Sequence, residues 1–271
     1  VIADLHVHTN ESDGTWTPKQ LVVEAARRSL AAIAITDHDT TAGIEEARRN
    51  APDTLRIIPG VELSCSTPQA AEIHILGLWI NEQTPSLQKQ LELMRQSRLA
   101  RMEKILERLH DLGIPMSPGE VTKFADKGVL SRSHIAAALV ARGAVATKKE
   151  AFARYLDAGA PAYAPRYKLE PEAAVELITT AGGVPVLAHP GLLEDLIVLP
   201  RLVAAGLAGL EVVHPSHDAA QTRFFLGLAH DLELLPCGGS DCHGPGGKER
   251  VFLGEYTIPW EWVRALAPEH W

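Results

Sequence analysis

The chain has 271 residues, 46% of them hydrophobic, which allows a sizeable core and argues against disorder. Its formal net charge of −8 argues against a protein that coats long nucleic acid, because that task needs a broad basic face. The length suits one α/β barrel with an insertion, no apolar run is long enough to cross a membrane, and three cysteines (Cys65, Cys237, Cys242) fit a reducing cytoplasm better than a disulfide framework.

The opening "VIADLHVHT" has neither the basic n-region nor the cleavage pattern of a signal peptide, and it reads as a first strand. Alternation along it predicts Asp4, His6 and His8 on one face, with Leu5 and Val7 entering the core on the other. A helix follows in "TPKQLVVEAARRSL", where Thr17 is the cap and Pro18 the first helical residue. The strand "LAAIAITDHD" then delivers Asp37, His38 and Asp39. Asp39 precedes "TTAGIEEARRN" and is expected to cap that helix. "LRIIPGVELS" is a third strand ending in Glu62, and "AEIHILGLWI", carrying His74, is an extra strand with little room for a helix before it.

The rhythm breaks between residues 84 and 166. "SLQKQLELMRQSRLARMEKILERLHDLG" reads as one long amphipathic helix closed by Gly113, and three shorter helical patterns lead to "YAPRY". The expected division is a barrel of residues 1–83 and 167–271, with a helical insertion at 84–166 covering its mouth. Strands "GVPVLAHPG", "LAGLEVVHPS" and "LELLPCGGSD" then alternate with helical segments and end in His189, in Glu211 and His214, and in Asp241 and His243. Such alternation predicts a parallel sheet with helices outside it.

Polar residues therefore stand at the C-terminal ends of strands, which meet at one mouth in a parallel barrel. Taken singly, a strand-end histidine is most often structural and a loop aspartate most often a cap. Gathered together with Asp13, Glu62 and Asp241, these histidines would carry a large desolvation and repulsion cost, which divalent cations remove.

The ordered segments "DLHVHTNESDG", "ITDHDT", "GVELS", "EIHILG", "AHPG" and "GSDCHG" resemble the PHP (polymerase and histidinol phosphatase) superfamily over nearly the whole chain. That resemblance implies an α/β fold, a distorted (β/α)7 barrel, holding two or three divalent metal ions. Carried over by position, one metal takes His6, His8, Glu62 and Asp241, and a second takes Asp13, His38 and His243. A third shares Glu62 as a bridge and adds His74 and His189. Asp13 stands where some relatives have histidine, which favours harder ions such as Mn²⁺, with Fe²⁺ and Zn²⁺ also compatible. Asp4 is read as orienting a ligand and Cys242 as a packed neighbour.

Such a centre suits hydrolysis of a phosphate ester by a metal-bridging hydroxide. In "LSRSHIAAALV", Ser131, Arg132 and His134 stand at a helix start, where an Arg fork and backbone donors suit phosphate. The plain alternative is a helix cap and a surface charge. A similar stretch contacts substrate phosphate in PHP relatives that act on nucleotides. Arg166 and Lys168 are further phosphate candidates, and His217 in "PSHD" is a candidate general acid or phosphate binder. His110, His230 and His270 read as ordinary surface or helix residues.

The layout is most similar to the PHP subgroup acting on nucleoside 3′,5′-bisphosphates. It implies removal of the 3′-phosphate, with 5′–3′ exonuclease action on short 5′-phosphorylated RNA as an extension. The partner expected is a small nucleotide or short oligoribonucleotide, not long duplex nucleic acid and not a membrane. A histidinol-phosphate or other small-molecule phosphatase is the nearest alternative. A non-catalytic metal-binding regulatory module is disfavoured because all nine implied ligands are present, and an amidohydrolase because no strand offers a metal-bridging lysine.

Overall fold

The computed structural model describes residues 1–68, 72–124, 131–165, 167, 169–246 and 252–269. Among them one sheet is built from β1 (Ile2–Val7), β2 (Ala32–Ile35), β3 (Arg56–Cys65), β4 (Ile73–Leu78), β5 (Val184–Leu187), β6 (Gly209–Val213), β7 (Leu235–Gly238) and β8 (Ile258–Pro259). Their spatial order is β7-β6-β5-β4-β3-β2-β1-β8. The two ends approach each other: the His8 N–H donates to the Cys242 carbonyl at 3.0 Å, and Val7 pairs in parallel with Cys242. The result is a nearly closed α/β barrel.

The expectation of a parallel sheet is corrected at two places. β4 runs antiparallel to both β3 and β5, and the short β8 runs antiparallel to β1. The connection from β3 to β4 is too short for the crossover helix that a parallel neighbour requires, so the chain turns straight back. Reversal puts the start of β4, with His74, beside the end of β3, where Ser64 pairs with His74.

β1 also departs from simple alternation. Its register against β2 shifts by one residue between Asp4 and Val7, the signature of a bulge. Before the shift Asp4 pairs with Ile33, after it Val7 pairs with Ile35, and Val7, Ile33 and Ile35 share one apolar cluster while Ala3 and Leu5 belong to another. Asp4 therefore lies on the face opposite His6 and His8, not alongside them.

Ala3, Leu5, Ala32, Ala34, Ile58, Leu76, Leu78, Val186 and Cys237 fill the inner face of the barrel. Val263 and Leu266 of the last helix pack onto this cluster. On the outer face, α1 (Pro18–Arg27) and α2 (Gly43–Asn50) bring Leu21, Val22, Ala25, Ile44 and Ala47 against Ile33 and Ile35. Thr17 caps α1 in a reciprocal box with Gln20.

The remaining helices are α3 (Pro85–Asp111), α4 (Pro118–Thr122), α5 (Arg132–Ala141), α6 (Lys148–Ala151), α7 (Pro171–Thr180), α8 (Leu199–Ala204), α9 (Ala219–Asp231) and α10 (Trp260–Leu266). α3 ends in a Schellman turn at Gly113 (φ +77°), with the Ile114 N–H returning to the Leu109 carbonyl. No described helix is long and apolar enough to cross a membrane.

The chain divides into two compact units, Val1–Gln90 with Lys168–Trp271, and Leu91–Tyr167. The first is the barrel. The second has its own core of Ile105, Leu106, Leu109, Val121, Ile135 and Leu139, and Arg101 donates to the Ala164 carbonyl within it at 2.7 Å.

Candidate metal centre

Glu62, near the end of β3 and fully buried, is the hub of a histidine-rich centre. Its Oε2 lies 3.3 Å from His6 Nε2, 3.2 Å from His8 Nε2 and 3.0 Å from His38 Nδ1. Its Oε1 lies 2.8 Å from His74 Nδ1 and 3.1 Å from His189 Nε2. Asp241 Oδ1 joins the first set, 3.3 Å from His6 Nε2 and 2.9 Å from His8 Nε2. Asp13 Oδ1 meets His243 Nε2 at 3.0 Å and lies 3.9 Å from both His38 Nε2 and His8 Nδ1. All nine side chains expected to bind metal thus converge at one end of the barrel. The convergence also puts His8 beside Asp13, His38 and His243, and groups His38 with Glu62 and His74.

His189 Nε2 is hydrogen-bonded to Glu62 Oε1, but several of the other contacts are close without aligned hydrogen bonds. His6 Nε2, both ring nitrogens of His8, Asp13 Oδ1, His38 Nδ1, Glu62 Oε2 and His243 Nε2 are buried and lack an aligned partner. Lone pairs aimed at a common point, and not at one another, are the geometry of a cation site, and the mixed imidazole and carboxylate donors fit a divalent ion. The metal-free cluster is a strained alternative. Burial pushes the His8 imidazole down, but Asp241 and Glu62 overcome it and raise its pKa to about 10. Burial likewise opposes ionisation of Glu62, yet the surrounding imidazoles hold its carboxyl well below the usual range.

The local chain is shaped to bring these groups together. Three non-glycine residues in the centre take left-handed backbone conformations: Asp39 (φ +54°), His189 (φ +28°) and Asp241 (φ +48°). Each costs about 1–3 kcal/mol and persists because its surroundings fix it. Asp37 accepts from Thr9 N, Thr9 Oγ1 and Ser12 Oγ at 2.6–2.7 Å, which pins the loop carrying Asp13. His243 Nδ1 donates to the Asp241 carbonyl at 2.8 Å, which leaves Nε2 facing Asp13.

Two sequence expectations, for Asp39 and His217, are corrected here. Asp39 does not cap α2, whose N-cap position is Ala42 with no side-chain cap. Asp39 Oδ1 accepts from Ser64 N at 2.8 Å and its N–H donates to the Glu62 carbonyl, so it fastens β2 to β3 beside the hub. Asp4 reaches the ligands through the backbone, its Oδ1 accepting from the N–H of His6 at 3.4 Å. It accepts from Ser240 N at 2.8 Å and Gly254 N at 3.2 Å, and acts on the backbone next to Asp241 while burial raises its own pKa to about 6. His217 does not present a proton: Nδ1 donates to the Val212 carbonyl at 3.0 Å, Nε2 accepts from Gly191 N at 3.1 Å, and burial lowers its pKa.

In the helical unit, Ser131 and His134 form a capping box at the start of α5. Arg132 donates to the Leu156 carbonyl at 3.0 Å and lies over the Phe152 ring. Arg166, Lys168 and His270 lie outside the described residues. Cys242 is buried and packs with Val7 and Leu253, and His230 is exposed.

Two residues of the centre had no assigned role. Glu211, in the middle of β6, is fully buried, with Oε1 3.0 Å from His6 Nδ1 and Oε2 2.6 Å from His189 N. His214 accepts the Ser216 N–H at Nδ1 (3.1 Å), which places its proton on Nε2, 3.5 Å from Asp241 Oδ2. The segment "EVVHPSH" announced polar residues at a strand end, but nothing in its spacing separates ligands from the groups behind them.

Comparison with known proteins agrees with this geometry. Residues 4–158 match the PHP domain family. The chain is 37% identical over 256 residues to a 3′,5′-nucleoside bisphosphate phosphatase of Chromobacterium violaceum, covering 90% of this chain and 87% of that protein. It is 39% identical over 254 residues to the 5′-3′ exoribonuclease Rnm of Salmonella typhimurium, covering 90% and 86%. A crystal structure from Bifidobacterium adolescentis, assigned as a metal-dependent phosphoesterase, superposes with a TM-score of 0.85 at 33% identity, covering 97% of this chain and 94% of that one. A histidine–carboxylate centre at one end of a nearly closed barrel, and a family match across more than half of the chain, lead to one conclusion: the protein belongs to the PHP domain family.

Proposed function

We propose that this chain is a metal-dependent phosphoesterase that removes the 3′-phosphate of a nucleoside 3′,5′-bisphosphate, with 5′–3′ exonuclease action on short 5′-phosphorylated RNA as an extension. The observation that carries the reading is the set of buried, unpartnered nitrogens and oxygens around Glu62. Divalent ions held there would polarise the phosphoryl oxygens and make a water nucleophilic near neutral pH. Mn²⁺ is the ion we favour for a donor set of imidazoles with Asp13, Glu62 and Asp241.

The protein's part is placement. Glu62, with one oxygen toward His6, His8 and His38 and the other toward His74 and His189, has the disposition of a bridge. Asp37 and Asp4 keep the loops bearing Asp13 and Asp241 from relaxing. His214 Nε2–H is a buried donor within the centre. For the phosphate not being cleaved we propose Ser131, Arg132 and His134, with Arg166 and Lys168 as additional cations. Residue chemistry supports this, since Arg132 spends one of its N–H donors on Leu156 and keeps a planar fork for an anion. Three buried thiols without a disulfide support the cytoplasm as compartment.

The test is phosphate release by Mn²⁺-loaded protein from adenosine 3′,5′-bisphosphate and histidinol phosphate side by side. Strong preference for the bisphosphate is expected, and Arg132→Ala should then raise KM or lower kcat at least about tenfold with metal content intact. Preference for histidinol phosphate would overturn the nucleotide assignment. No release from either would overturn the phosphoesterase reading.

A further inference from the structure

Glu211 is fully buried, carries no role among the nine implied ligands, and touches two of them by different means. It contacts the ring of His6, 3.0 Å from Oε1 and 3.3 Å from Oε2 to Nδ1. It also holds the backbone of His189, whose N–H donates to Oε2 at 2.6 Å. Those histidines face different oxygens of the hub, since His6 Nε2 faces Glu62 Oε2 and Asp241 while His189 Nε2 faces Glu62 Oε1. We propose that Glu211 is a positioning residue that sets both at once: it fixes His6 in the Nδ1–H tautomer that turns the Nε2 lone pair to the metal, and it holds His189 in its left-handed conformation. The proposal rests on the metal-centre reading above.

A direct ligand role fits less well. Glu211, His6 and His214 are close enough to be considered a separate triad. However, His6 Nδ1 is hydrogen-bonded to Glu211, whereas His6 Nε2 is buried without a partner. A nitrogen that donates its proton has no lone pair for a cation. His214 is also unsuited, because Nδ1 already accepts from Ser216 and its proton therefore sits on Nε2. What remains is one carboxylate behind a metal-facing imidazole, an arrangement that orients the ring and strengthens its donor nitrogen. The second contact adds something the ring contact alone does not. His189 has φ +28° and is followed by Pro190, so the backbone there is strained and needs an external hold.

Glu211→Gln isolates the effect, because its volume is unchanged while its amide offers one accepting oxygen where two N–H groups need one each. The experiment is a Co²⁺ titration of chelator-treated wild type and Glu211→Gln, followed by visible absorption, with bound metal counted by mass spectrometry. We expect at least one equivalent to bind about 10- to 100-fold more weakly, with an altered visible spectrum and an unchanged far-ultraviolet circular dichroism spectrum. Equal affinities within twofold and the same spectrum would overturn the proposal. Should the variant not fold, wild type answers: in Zn²⁺-loaded protein, long-range ¹H–¹⁵N spectra should show His6 protonated at Nδ1, and an unprotonated Nδ1 would overturn it. Wild-type protein that titrates normally yet releases no phosphate refutes only the phosphoesterase reading. An active wild type whose Glu211→Gln variant titrates identically refutes only the role of Glu211.

Discussion

Glu62→Gln keeps the volume of the hub side chain but removes the charge that His6, His8, His38, His74 and His189 all face. The consequence in the metal-free protein can be worked from His74. Burial pushes that imidazole down, but the Glu62 charge and hydrogen bond, helped by Glu72, raise it from 6.5 to about 9. At ~1.36 kcal/mol for each pH unit, that rise is worth about 3 kcal/mol. The value agrees with the ~3–5 kcal/mol lost when one partner of a buried ion pair is removed. A raised histidine contributes fully below its unfolded value near 6.5 and loses its contribution as pH climbs through about 9. Glu62, held well below 4.5, contributes fully above 4.5 and loses that contribution progressively as pH falls below it. The deficit of the variant is therefore greatest between about pH 5 and 6.5 and shrinks as pH climbs through about 9, while the part carried by His8, held near 10, persists beyond. Urea unfolding of chelator-treated wild type and variant at both ends of this window measures it. Equal stability near pH 6, or a gap that widens toward pH 9.5, would show that the hub does not work by charge.

Metal uptake should displace protons at pH ~7.5, because Asp241 and Glu62 outweigh burial to hold the metal-free His8 near 10. Calorimetric binding enthalpies should then differ between buffers of unlike ionisation enthalpy, and affinity should fall as pH falls; buffer-independent enthalpies would contradict this. Gly239→Ala should cost at least about 2 kcal/mol in thermal unfolding, since a new Cβ would strike the His6 backbone nitrogen where β7 closes on β1. A wild-type melting curve would mean that the closure is looser than it looks. Thr17→Ala should cost about 1 kcal/mol by loss of the α1 cap while bound metal stays constant, and a change in metal content would be unexpected.

Much of the fold was legible because its signals are local. Thr17-Pro18 and Gly113 announced the start of one helix and the end of another, and six short polar motifs marked strand ends whose meeting follows from barrel closure. What escaped the sequence depends on pairing. The bulge in β1 inserts one residue whose effect, Asp4 turned away from His6, is visible only against the register of β2. Asp39 has the composition of a helix cap, but its left-handed φ aims the carboxylate at Ser64 instead. His217 resembled an acid in sequence, and two backbone contacts from Val212 and Gly191 decide otherwise. Glu211 was passed over because a carboxylate behind a ligand and a carboxylate that is a ligand are spelled alike.

The reversed strand β4 has a consequence for how this centre could change. His74 faces the metal pocket because Ser64 stands opposite it and Leu76 opposite Glu62, while Ile73 and Ile75 point the other way and are fully buried. A slip of one position in that hairpin would exchange an imidazole for an isoleucine at the mouth and leave the other ligands where they are. Part of the make-up of the centre is thus encoded in strand register, and a one-position shift of β4 would change it with no ligand mutated.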